Sequence, residues 1–203
     1  MIGITGGVAS GKSVVSHRLR SLGAVVLDAD LFSKEAVNPH TPGWRKVKEA
    51  FPEVIQGDLS VDRRLLGQII FADAQKRKVL EEIIHPEVLS RIQGAAQEAQ
   101  GKGKIVFAEV PLLYEVGWDP LMEQTWVVYT SPPVQLERLI KRAQITQEQA
   151  LQMMASQLPL KEKVKRATRV INNDGPLEQT FKQVDALWKE LEREKKKELP
   201  GRQ

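Results

Sequence analysis

Residues 6 to 13 read Gly6-Gly7-Val8-Ala9-Ser10-Gly11-Lys12-Ser13, which satisfies G-x-x-x-x-G-K-[ST] at every fixed position. That spacing is a phosphate-binding loop. Glycines open backbone angles closed to other residues, so successive N–H groups turn inward around an anion, and the following helix adds its positive end. Lys12 would neutralise β- and γ-phosphate charge and the Ser13 hydroxyl would hold Mg²⁺, with Gly7 to Val14 lining the nucleotide. A glycine-rich turn with a chance lysine is the bland alternative. The apolar run Ile2 to Thr5 before the loop and the helically spaced Val15, Leu19 and Leu22 after it supply the strand and helix that the motif requires.

A second group of chemical interest is Asp28-Ala29-Asp30, which ends the apolar run Ala24 to Leu27. Carboxylates at the C-terminal end of a strand lie where ligands bind in open α/β sheets. On an extended segment Asp28 and Asp30 point to one side and can share a ligand. A pair of helix-capping aspartates is the competing explanation. Arg138 and Arg142 are one helical turn apart and lie on one face, as do Lys161 and Lys165. Glu109 closes a strand in a position to order Mg²⁺-bound water, unless it is a polar residue facing solvent.

The elements that carry these residues alternate. After the first strand, loop and helix, and the second strand, the stretch from Leu31 to Gln100 is helix after helix. Asp62 is predicted to cap Arg63 to Phe71, Asp73 to cap Ala74 to Ile84, and Pro86 to open a third helix. Strands return at 104–110 and 125–130, the second followed by Ser131 as the N-cap of a helix over Val134 to Arg142. Thr146 and Gln149 form a capping box, and Val170-Ile171 a last strand before the turn signal Asn172 to Pro176. A final helix starts near Pro176 and is expected to fray in the charged tail Lys189 to Gln203. Strands alternating with helices imply a parallel sheet covered on both faces.

The 203 residues hold 41% hydrophobic and 28% charged side chains, the profile of an ordinary globular domain. Zero cysteines exclude disulfides, thiolate metal sites and cysteine nucleophiles, and fit a cytoplasmic enzyme. No apolar run spans a bilayer and no secretion signal precedes the loop, so a membrane role is not expected. A net charge of +4 suits an anionic ligand but is weak evidence for nucleic acid, which is not expected as a partner. The aromatic residues do not interleave with basic ones, so the four tryptophans with Phe51, Phe71 and Phe107 read as packing groups.

A phosphate-binding loop serves switches, motors, transporters and kinases alike. There is no N-K-x-D to read guanine, no D-x-x-G to sense a γ-phosphate and no LSGGQ-like signature. A helical insertion that could cover an acceptor and a basic segment that could close over ATP match instead the needs of phosphoryl transfer.

The sequence resembles the dephospho-coenzyme A kinase family from Ile4 to about Gly175. The resemblance rests on Thr5 to Ser13, Asp28-Ala29-Asp30, Asp62-Arg63-Arg64-x-Leu66 with Ile70-Phe71-Ala72, and His85-Pro86. It continues through Val110-Pro111-Leu112-Leu113-x-Glu115, Gln135-Leu136-x-Arg138, Arg142, Gln157 and Ile171-Asn172-Asn173. It implies transfer of the γ-phosphate of ATP to the ribose 3′-hydroxyl of dephospho-coenzyme A, on a three-layer α/β P-loop NTPase fold with a five-stranded parallel sheet. The single kinase domain, 1–203, would comprise a core (1–30, 104–140, 168–196), a helical acceptor-binding insertion at about 31–100 and a helical lid at about 141–167. The enzyme is expected to be a monomer or weak homo-oligomer.

The same resemblance implies catalytic roles for Lys12, Asp28, Asp30 and Arg142. Asp30 is the general base or orienter of the hydroxyl, with Asp28 helping, and the two roles are interchangeable at this stage. Arg138, Arg142 and Asn173 join the loop in holding ATP. Asp28, Asp30, Arg63, His85 and Leu112 hold the acceptor, and Ser13, with Glu109 through water, the Mg²⁺. Where the family commonly has arginine after the aspartates this chain has Lys34, and Val14 replaces a frequent hydroxyl residue. The stretch Lys161 and Ala167-Thr168-Arg169 also departs from the usual lid pattern.

Overall fold

The computed structural model describes residues 1–198; the end of the charged tail, 199–203, lies outside the described residues. Strands β1 (Ile2–Gly6), β2 (Val25–Asp28), β3 (Val106–Glu109), β4 (Gln124–Tyr129) and β5 (Arg169–Asn172) form one parallel sheet in the order β2-β3-β1-β4-β5. The central β1 is buried at all five positions, as a parallel strand covered on both faces requires. Its register sets Ile4 opposite Glu109 on one side and Gly6 opposite Val128 on the other. Thus the strand that feeds the loop is paired on both edges.

The chain forms two compact units, Met1–Leu27 with Ala99–Gln203, and Asp28–Glu98. In the first, α1 (Lys12–Ser21) and α9 (Leu177–Glu198) pack on the sheet, placing Val15, Leu19, Val184 and Trp188 against Ile4, Phe107 and Trp126. Arg18 of α1 donates from Nε and Nη2 to both carboxylate oxygens of Asp185, each at 2.7 Å. The predicted fraying from Lys189 does not occur up to Glu198, because Leu187 and Leu191 still pack against the core. The remaining helices of this unit, α6 (Pro132–Ala143), α7 (Gln147–Ala155) and α8 (Leu160–Arg166), follow β4. The capping box of Thr146 and Gln149 is present at the start of α7.

The second unit has its own core of Val37, Val47, Phe51, Val54, Leu66 and Leu80. It comprises α2 (Ala29–Ala36), α3 (Pro42–Ala50), α4 (Arg63–Ala72) and most of α5 (Ala74–Gly101). Asp62 caps α4 through the N–H groups of Arg64 and Leu65, and Asp73 accepts from Gln75 and Lys76 at the head of α5, as the sequence suggests. Pro86 opens no third helix: α5 runs through it for 28 residues. Proline removes one backbone bond, but Leu80, Val88, Ile92 and Ala96 continue a buried stripe at four-residue spacing across the site, and packing prevails. Phe71 is not a packing group, being 95% exposed, whereas Trp44, Trp118, Trp126 and Trp188 are all buried. No helix among the described residues is long and apolar enough to cross a membrane.

Candidate phosphoryl-transfer site

The loop between β1 and α1 holds two residues in the left-handed region, Ala9 at φ +56° and Gly11 at φ +92°. Alternation with neighbouring conformations turns consecutive N–H groups inward. Ser10 N–H closes back on the Gly7 carbonyl at 3.2 Å, and Val14 N–H on that of Gly11 at 3.0 Å. α1 has no capping side chain and no acidic residue in its first turn. Its positive end therefore remains available to an anion. Ser13 is exposed in that first turn, and the Lys12 ammonium lies across the loop, 3.2 Å from Gly6 O and 2.9 Å from Gly7 O.

Three amide side chains from distant parts of the sequence hold this shape. Gln135 Nε2 donates to Val8 O at 2.7 Å, Val8 N–H donates to Gln157 Oε1 at 2.9 Å, and Asn173 Nδ2 donates to Ser10 O at 2.8 Å. They come close enough that a side chain would displace them: a Cβ on Gly7 would lie 2.4 Å from Gln135 Nε2, and one on Gly11, at φ +92°, 2.0 Å from Asn173 Nδ2. The resemblance sets Asn173 beside the nucleotide. Its side chain is buried between Ser10 and the Thr180 hydroxyl, which donates to Oδ1 at 2.8 Å, and so braces the loop.

The turn after β5 is fixed in the same way. Asp174 accepts from the Ser131 N–H at 2.6 Å, the Thr130 hydroxyl at 2.8 Å and the Ser131 hydroxyl at 3.0 Å. Burial pushes its carboxyl up, but these bonds and the nearby Arg138 charge hold it below the usual carboxylate range. Ser131 occupies the predicted N-cap position of α6, yet its hydroxyl serves Asp174 rather than the helix. Arg138 donates to Asn173 O at 2.8 Å. Arg142, one turn further along α6, is exposed. Glu109 is half-buried at the end of β3, and Leu112, in the segment that follows, is 40% exposed.

Lys163 carries an ion pair that sequence reasoning missed, made with Glu115 of the Val110 to Glu115 motif. Lys161 is exposed and Lys165 pairs with Glu162 at 2.7 Å, but Lys163 between them is fully buried, 2.8 Å from Glu115 Oε1 and 3.1 Å from Pro111 O. In a run of basic residues it looks like solvated helix surface. Its position betrays it: Leu160, Val164 and Ala167 pack inward, and Lys163 falls on that same stripe. Gln135 and Gln157 were visible only as parts of a pattern, without a role.

The other predicted site residues belong to the second unit. Asp28 ends β2 and caps α2, accepting from the N–H groups of Asp30 at 2.9 Å and Leu31 at 3.2 Å. Asp30 is thus already helical, which corrects the expectation of an extended pair with both side chains on one face. The capping explanation holds for Asp28. Asp30 is exposed. Arg63 is exposed at the start of α4 and reaches the Lys34 carbonyl at 3.1 Å, which links α4 to α2. His85 is half-buried inside α5, not ahead of a helix.

A family model described as dephospho-CoA kinase matches residues 1–179. The chain belongs to the dephospho-CoA kinase family. A relative of that name from Symbiobacterium thermophilum is 42% identical, covering 93% of this chain and 80% of its own. Another from Geobacter metallireducens is 43% identical over 94% and 96%. A solved structure from Thermus thermophilus superposes with a TM-score of 0.82 at 36% identity, covering 94% of this chain and 96% of that one. A dephospho-CoA kinase from Campylobacter jejuni, 24% identical with a TM-score of 0.66, shares the fold. Membership makes the chain an ATP-dependent kinase whose reaction, phosphorylation of dephospho-CoA, is the final step of coenzyme A formation.

Proposed function

We propose that the chain transfers the γ-phosphoryl group of ATP to the 3′-hydroxyl of dephospho-CoA by direct in-line displacement. The observation that carries the reading is the braced loop on the central strand of this sheet, with α1 left uncapped for an anion. The 3′-oxygen attacks phosphorus, the bond to the ADP oxygen breaks, and the hydroxyl proton passes to the Asp30 carboxylate. Asp28 is the weaker candidate for the proton, since its carboxylate already accepts two backbone N–H groups. It keeps a supporting role at the acceptor. Lys12 and the loop N–H groups offset charge on the β- and γ-phosphates, and Arg142 with Arg138 adds to that charge balance from α6. Arg63, His85 and Leu112 contact the acceptor in this reading.

Mg²⁺ bound with the nucleotide would supply positive charge to offset that of the phosphates. Among the described residues no cluster of three metal-ligating side chains exists. The Ser13 hydroxyl, exposed in the first turn of α1, would hold the ion, with Glu109 acting through water. The reaction is assigned to the cytoplasm and to a monomer or weak homo-oligomer.

The test is an assay of the purified chain with MgATP and dephospho-CoA in which the 3′-phosphorylated product is followed directly. Product in step with ADP is the expected result. Folded protein that binds ATP yet forms no such product would overturn the assignment, and transfer to a nucleoside or nucleotide instead would redirect it.

A further inference from the structure

Val8 is grasped on both flanking peptides, by Gln135 at its carbonyl and by Gln157 at its N–H. Gln135 stands on α6, but Gln157 lies between α7 and α8, in a segment that needs its own anchor. That anchor is the next residue: Leu158 N–H donates to Glu115 Oε1 at 2.9 Å. The same carboxylate oxygen receives Lys163 Nζ at 2.8 Å, and Lys163 also donates to Pro111 O at 3.1 Å. Pro111 O accepts in turn from Thr5 Oγ1 at 3.0 Å, and Thr5 is the residue before the loop. A circuit therefore leaves β1 at Thr5, passes through the segment after β3 and α8, and returns to the loop at Val8.

A fully buried ammonium is an expensive way to pack a helix. Leu160 and Val164 already supply apolar contacts to Tyr114 and Val127, and an apolar residue in place of Lys163 would avoid several kcal/mol of desolvation. What the charge adds is direction, because it fixes one carboxylate oxygen against one backbone N–H.

We propose that Gln157 is a positioning residue for phosphoryl transfer, held by the ion pair of the buried Lys163 with the more exposed Glu115, and that it sets the tilt of the Gly7–Val8 peptide and with it the aim of the N–H groups from Ala9 to Ser13. The inference rests on the kinase activity proposed above. Gln157 touches the loop and not the reacting atoms, so its removal should impair the chemical step more than nucleotide capture. A misdirected cage still holds charge but fits the transition state less well.

Two variants test it, with kcat, the KM for MgATP and for dephospho-CoA, and thermal unfolding measured on each. Gln157→Met removes the acceptor at similar length. Lys163→Met combined with Glu115→Gln removes both charges of the pair while retaining an acceptor for Leu158 N–H. Each is expected to lower kcat about 10-fold with less than about a 3-fold change in the KM for MgATP. Their combination should lower kcat no further than either alone, because both act through one peptide. Unchanged kcat in Gln157→Met overturns the proposal, and so do effects that multiply in the combination. If the paired substitution does not fold, Glu115→Gln alone takes its place with the same expected outcomes. An inactive parent chain would instead count against the kinase reading, so the two failures are distinguishable.

Discussion

Two helix N-termini carry most of the proposed chemistry, and they are built in opposite ways. α2 is closed by its own neighbour: the Asp28 carboxylate takes the N–H groups of Asp30 and Leu31, and nothing distant is required. α1 is left open after Gly11, with no capping side chain, and its loop is held from residues 135, 157 and 173. A capped terminus is stable by itself and offers little to an anion. An uncapped one keeps its donors for a ligand, and the surrounding structure must then hold it in shape. The difference locates the fragility of this enzyme in tertiary contacts on the loop side and in single side chains on the aspartate side.

The largest effect is expected where those contacts allow no slack. Gly11→Ala would place a Cβ 2.0 Å from Asn173 Nδ2 at a φ of +92°, so kcat/KM for ATP should fall by at least about 10²-fold, together with a lowered unfolding midpoint. Activity within a few-fold of the parent would mean that the loop yields more readily than its bracing suggests. The aspartates come next and should separate. Asp30→Asn is expected to lower kcat about 10²-fold while ATP binding, followed by titration, is retained. Asp28→Asn preserves the cap and should cost under about 10-fold, while Asp28→Ala should lower stability by about 1 kcal/mol. Equal losses of activity at both positions would erase the distinction between cap and base.

The smallest effect is one of pH. Asp174 has a folded-state pKa below its ordinary value of 3.8, so its contribution to stability is full above that value and is lost as the pH falls through the folded one. Asp174→Asn should therefore lower the melting temperature at pH 6, and the gap from the parent should close as the pH falls below 3.8. A gap that stayed constant down to pH 2 would remove ionisation of Asp174 as its cause.

Local features were legible in the sequence wherever one residue acts on the next few. The caps at Asp62 and Asp73 and the Thr146–Gln149 box depend on contacts within four positions, and the loop motif lies within the short stretch Gly6 to Ser13. The alternation of strands with helices implied the parallel sheet, and the resemblance supplied its strand count and the family. The bracing of the loop was not legible, because |i−j| is 149 between Val8 and Gln157 and 163 between Asn173 and Ser10, and nothing local to either amide states its partner. Pro86 and Asp30 misled for a related reason: local rules placed a boundary in one case and extended chain in the other, while packing and capping chose a helix for both. Lys163 could have been found from its place on an apolar stripe, had composition not argued for solvent.

The two-sided grip on Val8 also has a consequence for the timing of solvent exchange. Its amide proton is engaged by Gln157 before any nucleotide arrives, whereas α1 begins without a side-chain acceptor for its first N–H groups. Within one short loop, deuterium should enter slowly at Val8 and more quickly at Ser13 in the free enzyme. Addition of nucleotide should then slow Ser13 and leave Val8 almost unchanged, giving the loop an internal clock against which ligand protection can be read.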